Sequence, residues 1–455
     1  MMKAILVCAG VLSGVFGSPL PASQQGSAAS KTSLLDRLSF GAKDGPEIGN
    51  DTAHAYNDLV SQLDQTPSIK TVDSPTSALA AIENILSDDN HNLVDIATKI
   101  TAAGLVPSDI LSLLNGYLDS SLNSHNNKNP AASTKIYPSK ATGDAPYSVP
   151  EAKLRAAIQI PDTFSFGRNG RTPVILIPGT AVPAGTTYQF SFGKLGDSIP
   201  VDPVWVNIPR TSLYDAQVNS EYVAYAINYI SAISGGKSVA IMSWSQGGLN
   251  VQWALKYWPS TRKVVQDFIA ISPDLHGTVA ANVACPALAL LVCVPAFYQQ
   301  AWDSDFVRTL RADGGDSAFV PTTTVYSTFD EIVQPMFGAN ASAIIGDVRG
   351  VGAKNVHLQT ECAGKPAGGV YTHEGVLYNP LAWAVAIDAI THDGPADLAR
   401  IDMEDVCQQV LPEELGLTDL LGTEGLVLIA VAEALIYQPN VLREPPIKKY
   451  ARLQG

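Results

Sequence analysis

Charged residues are scarce in this chain of 455 residues, at 16%, and basic ones are in the minority, with 29 lysines and arginines against 43 aspartates and glutamates. The formal net charge is −14 at pH 7. A protein that binds nucleic acid needs a basic surface against the phosphates, so we expect no nucleic-acid partner. Hydrophobic residues make up 46% of the chain, which is enough for a large buried core.

Cysteine is also rare, with five in the whole chain, and no cysteine or histidine cluster has the spacing of a zinc site, so we expect no metal. Cys8 falls in a predicted signal peptide. The other four allow three pairings. In a secreted chain an even number favours two disulfides, and we expect Cys285–Cys293 and Cys362–Cys407. The alternative is that some of these cysteines are buried thiols.

The first 18 residues, MMKAILVCAGVLSGVFGS, run from a lysine through an apolar stretch to small residues. This order is typical of a secretory signal peptide, and the stretch is too short to span a membrane comfortably. The sequence therefore predicts a secreted, extracellular protein. Two sequons, at Asn50 and Asn340, are hypothetical glycan sites.

The remaining chain divides into three predicted parts. Residues 19–122 form an N-terminal extension that is first flexible and then helical, because apolar residues recur at helical spacing between 75 and 120. This extension is either a pro-region or cap, or a spacer without a catalytic role. Residues 123–148 are polar, with proline and glycine, as in a linker. Residues 149–455 form the catalytic domain.

After the linker, short apolar runs alternate with helical stretches. The predicted strands are 173–180, 203–209, 238–244, 267–274, 322–327 and 355–360, with helices at 220–233, 247–258 and 303–312. This alternation predicts an α/β fold with a mostly parallel sheet and helices on both faces. Ligands bind beyond the carboxyl ends of the strands in such a sheet, and five polar residues fall there: Thr180, Ser245, Asp274, Asp330 and His373.

The stretch SWSQGG, from Ser243 to Gly248, lies between a predicted strand and a predicted helix. It indicates a nucleophile elbow, a strained turn that exposes a serine above the sheet. Ser243 stands where the usual pattern has glycine, but it is the next smallest choice. The alternative interpretation is an ordinary helix cap, where serine is also favoured.

A serine hydroxyl needs a base to become a nucleophile, and in this layout an acid and then a histidine follow the serine along the chain. Asp330 and His373 occur in that order, and Glu331 and Asp274 are the alternatives for the acid. We expect the oxyanion donors to be the backbone N–H of Gln246 and a group of Thr180. This chemistry needs no cofactor.

Residues 279–297 form an uncharged apolar run. Its two prolines, one asparagine and two cysteines argue against a transmembrane helix, although its length would permit one. At the predicted mouth of the site, an exposed apolar segment would favour a lipid surface or an acyl chain. The alternative is a buried core helix.

Several motifs resemble, in order and spacing, those of the Candida antarctica lipase B family of fungal α/β-hydrolases: PVILIPGT, SWSQGGLNVQWAL, SPDLHGT, VPTTTVYSTFDEIVQP and KYARL. The resemblance runs from about residue 144 to the end. It implies the α/β-hydrolase fold, a catalytic triad of Ser245, Asp330 and His373, and an oxyanion hole at Thr180 and Gln246. It also implies pocket residues: Asp274 and Gln300 on the acyl side, Trp244 on the alcohol side, and Ile332 and Val333 as an apolar wall. The pair Cys362 and Cys407 matches a disulfide of that family, whereas two other family disulfides lack their cysteines here.

These inferences predict a secreted lipase or esterase that acts on acylglycerols or other lipid esters, with transesterification as a side activity. We expect a lipid ester substrate, a lipid–water interface, no transmembrane segment and a monomer. One alternative is a short-chain esterase or an amidase with the same triad. The other is a non-catalytic lipid-binding protein with the hydrolase fold.

Overall fold

The computed structural model describes residues 72–87, 93–106, 121–281 and 293–452. Four predicted features lie outside the described residues: the signal peptide, the start of the extension with Asn50, the part of the predicted helical stretch at 107–120, and most of the apolar run with Cys285.

Seven strands of the described residues form one sheet in the order β1-β3-β2-β4-β5-β6-β7. The strands are β1 Ile158–Gln159, β2 Thr172–Ile177, β3 Val201–Val206, β4 Val239–Trp244, β5 Val265–Ile271, β6 Thr322–Tyr326 and β7 Ala353–His357. Every pair is parallel except β1 with β3. The predicted α/β architecture with a mostly parallel sheet is confirmed.

Helices precede, connect and follow these strands. They are α1 Pro75–Leu86, α2 Leu93–Ala102, α3 Glu151–Ala156, α4 Ala184–Gln189, α5 Ala216–Ile233, α6 Gly247–Tyr257, α7 Pro295–Gln300, α8 Asp305–Arg311, α9 Leu358–Glu361, α10 Pro380–Thr391, α11 Met403–Gln408, α12 Leu417–Glu424 and α13 Leu426–Ile436. Short 3₁₀ turns lie at Ser121–Asn123, Phe192–Asp197, Pro209–Ser212, Thr261–Lys263, Gly338–Asn340, Pro366–Gly368, Gly375–Tyr378, Leu398–Arg400 and Lys449–Ala451.

Both faces of the sheet are buried, and alternate residues of each strand point to opposite sides. In β2, Val174 and Leu176 belong to one hydrophobic cluster with α10 and α13. Ile175 and Ile177 belong to the other, with α5 and α6. The near-continuous apolar strands of the sequence follow from this two-sided burial.

The helices of the N-terminal extension belong to the first of these clusters. Ser74 caps α1 by accepting the Ser77 N–H at 3.2 Å. Ala78 and Ile82 of α1 are buried in the cluster, together with Ile96 and Ile100 of α2. Helix α2 lies against α13. These helices therefore share a core with the sheet.

The segment predicted as a linker is attached to the domain along its length. Asn123 is buried and donates to Thr186 Oγ1 at 2.9 Å. Asn129 donates to the carbonyl of Arg155 in α3 at 2.9 Å and to that of Ile158 in β1 at 2.6 Å. The Tyr147 ring stacks on that of Trp258 with centroids 5.6 Å apart. The polar side chains of this segment thus bond to helices and to the first strand of the domain.

The last strand is shorter than predicted. The sequence suggests a strand over 355–360, but β7 ends at His357 and α9 begins at the next residue. Among the described strands β7 pairs with β6 alone, and their register ends at Tyr326 with His357. Without a partner beyond that point the chain turns into a helix and buries Leu358.

Candidate functional site

Ser245 occupies a strained turn between β4 and α6. Its φ is +56°, in the left-handed region that residues other than glycine and asparagine rarely adopt. Its N–H donates to the carbonyl of Ile271 at 3.0 Å, which fixes the turn to the end of β5. The site therefore has the backbone geometry of the predicted elbow.

Close packing around this turn explains its small residues. A Cβ on Gly247 would lie 2.7 Å from the carbonyl oxygen of Ile177, and one on Gly179 would lie 2.9 Å from Ser245 Cβ. Ser243 Cβ would be 3.2 Å from the Gly247 Cβ, so a serine fits there as long as Gly247 is kept. Ser243 Oγ is buried and has no hydrogen-bond partner among the described residues.

His373 and Asp330 form a buried pair. His373 Nδ1 lies 2.7 Å from Asp330 Oδ2, and both side chains are almost fully buried. The other carboxylate oxygen of Asp330 accepts the N–H groups of Ile332 and Val333 at 3.0 and 2.7 Å. The carboxylate is thus fixed on both sides, with one oxygen left for the imidazole.

The charges around His373 favour its cationic form. Burial lowers the pKa of His373, but the charge and hydrogen bond of Asp330 raise it, and the charges of Glu331 and Asp274 add to this. The net effect is a pKa above the ordinary value of histidine. An imidazole in this position is a ready proton acceptor.

The other two acidic candidates lie differently. Glu331 Oε2 accepts the backbone N–H of His373 at 3.0 Å, so it contacts the loop and not the ring. Asp274 is fully buried, and neither of its carboxyl oxygens bonds to another described residue. Burial raises the pKa of Asp274 to about 7. Of the three acids, Asp330 is the one placed against the imidazole.

Two further side chains hold the backbone of His373. Trp244 Nε1 and Ser272 Oγ both donate to the His373 carbonyl, each at 3.1 Å. The Trp244 ring also lies 5.0 Å from the imidazole, centroid to centroid. Ser272 carries no sequence signal for this role, because it lies 101 residues from His373 in a separate loop.

Thr180 follows β2 and reaches α6 and α7. Its hydroxyl lies 2.7 Å from Gln246 Oε1 and 2.9 Å from Gln300 Oε1. A hydroxyl has one proton, so it donates to one of these oxygens at a time. The three predicted residues are therefore brought together above the carboxyl end of the sheet.

The predicted apolar wall lies next to Asp330. Val333 is buried in a small cluster with Met336 and Ala341, and Ile332 packs against that cluster. The Ile332 carbonyl accepts the Thr278 hydroxyl at 3.0 Å. The loop after β6 is thereby joined to the loop after β5.

Cys362 and Cys407 form a disulfide, as predicted. Cys293 is also disulfide-bonded, and its predicted partner, Cys285, lies outside the described residues. No group of three or more histidine, cysteine or acidic residues in the described ranges could hold a metal ion. None of the helices described is long and apolar enough to cross a membrane.

Comparison with known proteins identifies the relatives of the chain. No protein-family model matches it. Lipase B from Pseudozyma antarctica is 32% identical over 308 residues, which cover 68% of this chain and 85% of that protein. The crystal structure of Aspergillus fumigatus lipase B shares 59% identity and a TM-score of 0.85, and covers 92% of this chain and 100% of that one. The chain belongs to the Candida antarctica lipase B family of fungal α/β-hydrolases.

Proposed function

We propose that this protein is a carboxylic ester hydrolase that acts on acylglycerols or other lipid esters through an acyl-enzyme on Ser245. The observation that carries the proposal is the strained Ser245 turn at the carboxyl end of the sheet that also bears the buried His373–Asp330 pair. Membership of a lipase family supports the substrate class.

His373 takes the proton of the Ser245 hydroxyl as its oxygen attacks the ester carbonyl. Asp330 keeps the imidazole in the right tautomer and stabilises its cation. The proton then passes to the leaving alcohol, and the acyl group stays on Ser245. Water repeats the cycle and releases the acid, whereas another alcohol in place of water gives transesterification.

Thr180 and Gln246 stabilise the tetrahedral oxyanion. The Thr180 hydroxyl has two glutamine oxygens as alternative partners, and it turns toward the oxyanion when the substrate is bound. The backbone N–H of Gln246, at the start of α6, is the second donor. Such donors each contribute about 3–4 kcal/mol to transition-state stabilisation.

Asp274 and Gln300 line the acyl side of the pocket, Trp244 limits the alcohol side, and Ile332 and Val333 form its apolar wall. Two contacts support this assignment: the Trp244 ring lies 5.0 Å from the His373 ring, and Gln300 Oε1 lies 2.9 Å from the Thr180 hydroxyl. Burial keeps a large fraction of Asp274 uncharged near pH 7, which suits an apolar acyl chain.

Large exposed hydrophobic residues lie on the loops around the site. Trp302, two residues after Gln300, is 55% exposed, Phe329, just before Asp330, is 39% exposed, and Phe337 is 53% exposed. These loops are joined by bonds from Thr278 to the Gln300 and Ile332 carbonyls, at 2.8 and 3.0 Å. Such a rim favours contact with a lipid–water interface.

The first 18 residues then act as a secretion signal and the mature chain works outside the cell as a monomer. Residues 149–455 form the catalytic domain, onto which the helices of the extension dock.

Rates on p-nitrophenyl esters of increasing chain length test this function. We expect Ser245→Ala to lower kcat by at least about 10⁴-fold. The matched control is Ser243→Ala, which removes a hydroxyl two residues away and keeps most of the activity. Full hydrolysis by Ser245→Ala would refute the nucleophile assignment. A preference for acetate over longer esters, or for an anilide, would favour the short-chain esterase or the amidase.

A further inference from the structure

Three glutamates lie beside the His373–Asp330 pair: Glu374 and Glu424 are buried, and Glu331 is half-buried. Glu331 follows Asp330, Glu374 follows His373, and Glu424 ends α12. The residues come from three separate parts of the chain, yet their carboxyl groups form one network. The reaction described above uses none of the three.

The network has direct contacts with the histidine loop. Glu331 Oε2 accepts the backbone N–H of His373 at 3.0 Å. The Glu374 carboxyl faces that of Glu331 within reach of a hydrogen bond, and Glu374 Oε2 has no other partner among the described residues. Glu424 Oε1 accepts the hydroxyls of Tyr378 and Thr372, at 2.6 and 3.2 Å. The loop of His373 is therefore bonded to Glu331 through the N–H of His373 and to Glu424, at the end of α12, through the hydroxyl of Thr372.

This network has no basic partner. In the described ranges none of the three carboxyls forms an ion pair with a lysine or an arginine. Three adjacent carboxylates, two of them buried, would be far too costly without a counter-charge. The hydrogen bond between Glu374 and Glu331 also needs a proton, since two ionised carboxylates have no donor.

The environment decides where the proton lies. Burial raises the pKa of Glu374 well above its ordinary value, and the charges of Glu331 and Glu424 raise it further. Burial also raises the pKa of Glu424, to about 7, and that of Glu331. Glu331 accepts the main-chain N–H of His373 at 3.0 Å, which favours its ionised form, whereas Glu374 Oε2 is buried and receives no N–H or hydroxyl from the described residues. Glu374 is therefore the acid of the pair and Glu331 the carboxylate.

We propose that Glu374 is a positioning residue: its protonated carboxyl donates to Glu331, whose carboxylate holds the His373 N–H and keeps the imidazole on Asp330. The inference rests on the proposed function. It assigns a role to a residue that touches neither substrate nor the reacting atoms, and it requires Glu374 to be neutral while the enzyme works.

A pH dependence follows from this role. Loss of the Glu374 proton would leave two carboxylates facing each other without a donor, and the loop of His373 would lose its support. The other titratable groups that face the network are Asp330, His373 and Asp274 from the site, and Tyr371 and Tyr378 from the loop before α10. The coupled network sets the alkaline limit of kcat/KM.

Two substitutions test whether Glu374 acts as a neutral hydrogen-bond donor or as a charged group. Glu374→Gln stays neutral at every pH and keeps a donor, so we expect kcat within about threefold of wild type at pH 7 and an alkaline limb shifted upward by about one pH unit. Glu374→Leu removes the donor, and we expect kcat to fall at least about tenfold with KM little changed.

The matched control is Glu433→Gln. Glu433 is a half-buried glutamate whose pKa burial also raises to about 7, but it bonds to Thr211 and lies outside the network. Its substitution should leave the pH profile in place. A Glu374→Gln profile that superimposes on that of wild type would overturn the proposal, as would a kcat as low as that of Glu374→Leu. This test holds even if Glu374→Leu fails to fold.

Ser245→Ala is assayed in the same series. If it stays active, the proposed function fails, whatever the Glu374 variants do. If it is inactive and the Glu374→Gln profile matches that of wild type, only the positioning role fails.

Discussion

The Cys362–Cys407 disulfide spans the loop that carries His373, and its removal gives a calculable loss of stability. The bond joins residues 45 positions apart, and both cysteines are buried. For a loop of this length, the entropy lost by the unfolded chain corresponds to about 4 kcal/mol at 25 °C. We therefore expect the double substitution of both cysteines by alanine to lower the free energy of unfolding by up to that amount.

The loss in melting temperature follows from the size of the protein. A chain of 455 residues has an unfolding entropy of about 1 kcal/mol/K near the midpoint, at about 2 cal/mol/K per residue. The expected decrease in Tm is therefore about 4 °C, measured by calorimetry. Residual activity at 25 °C should stay within about threefold of wild type, because Asp330 and Glu331 still hold His373.

The single substitution Cys407→Ala is the matched control, since it removes the cross-link but keeps one of the two thiols. It should lower Tm by a similar amount. If Tm is unchanged in the double variant, the chain-entropy argument is wrong. If kcat collapses while Tm holds, the disulfide itself positions His373 and the hydrogen bonds to its loop are insufficient.

Three other predictions follow from single contacts. Thr180→Val should lower kcat on p-nitrophenyl butyrate about 10²–10³-fold with KM nearly unchanged, and a change confined to KM would contradict an oxyanion role. Burial raises the pKa of Asp267 to about 8, so the folded state binds a proton that the unfolded state has released. The wild-type protein should thus lose about 3 kcal/mol of stability between pH 5 and pH 8 through this group. In Asp267→Asn the free energy of unfolding, measured in urea at each pH, should fall less over this range, and an equal fall in both proteins would contradict the assignment. Ile82→Ala should lower the free energy of unfolding by about 2–4 kcal/mol in a single thermal transition, whereas a separate early transition would show that α1 unfolds independently of the domain.

Local signals in the sequence were sufficient to predict the sheet and the turn at Ser245. Buried parallel strands are apolar runs, and the elbow needs small residues within two positions of the serine. The two-residue β1 was missed because it is too short to show the alternation of apolar and polar residues that marks a strand. Strand β7 was predicted too long because its end depends on where β6 stops, which the sequence of β7 does not contain.

Contacts between distant segments were beyond sequence reasoning. The pattern of α1 predicts an amphipathic helix, but it does not say that its apolar face joins the same cluster as α13, near the other end of the chain. Ser272 and Glu424 look like ordinary polar residues until the fold brings them to the loop of His373. Asp330 and Glu331 are neighbours in sequence, and only the directions of their side chains show that Asp330 bonds to the His373 ring and Glu331 to the His373 N–H.

Covalent labelling tests the central claim most directly. The full chain is treated with a fluorophosphonate that carries an alkyl chain, and the modified peptide is identified by mass spectrometry. We predict one adduct per molecule, on Ser245, with complete loss of ester hydrolysis. Ser243→Ala should be labelled as well as wild type, and Ser245→Ala should not be labelled. An adduct on any other residue, or full labelling of Ser245→Ala, would contradict the assignment of Ser245 as the nucleophile.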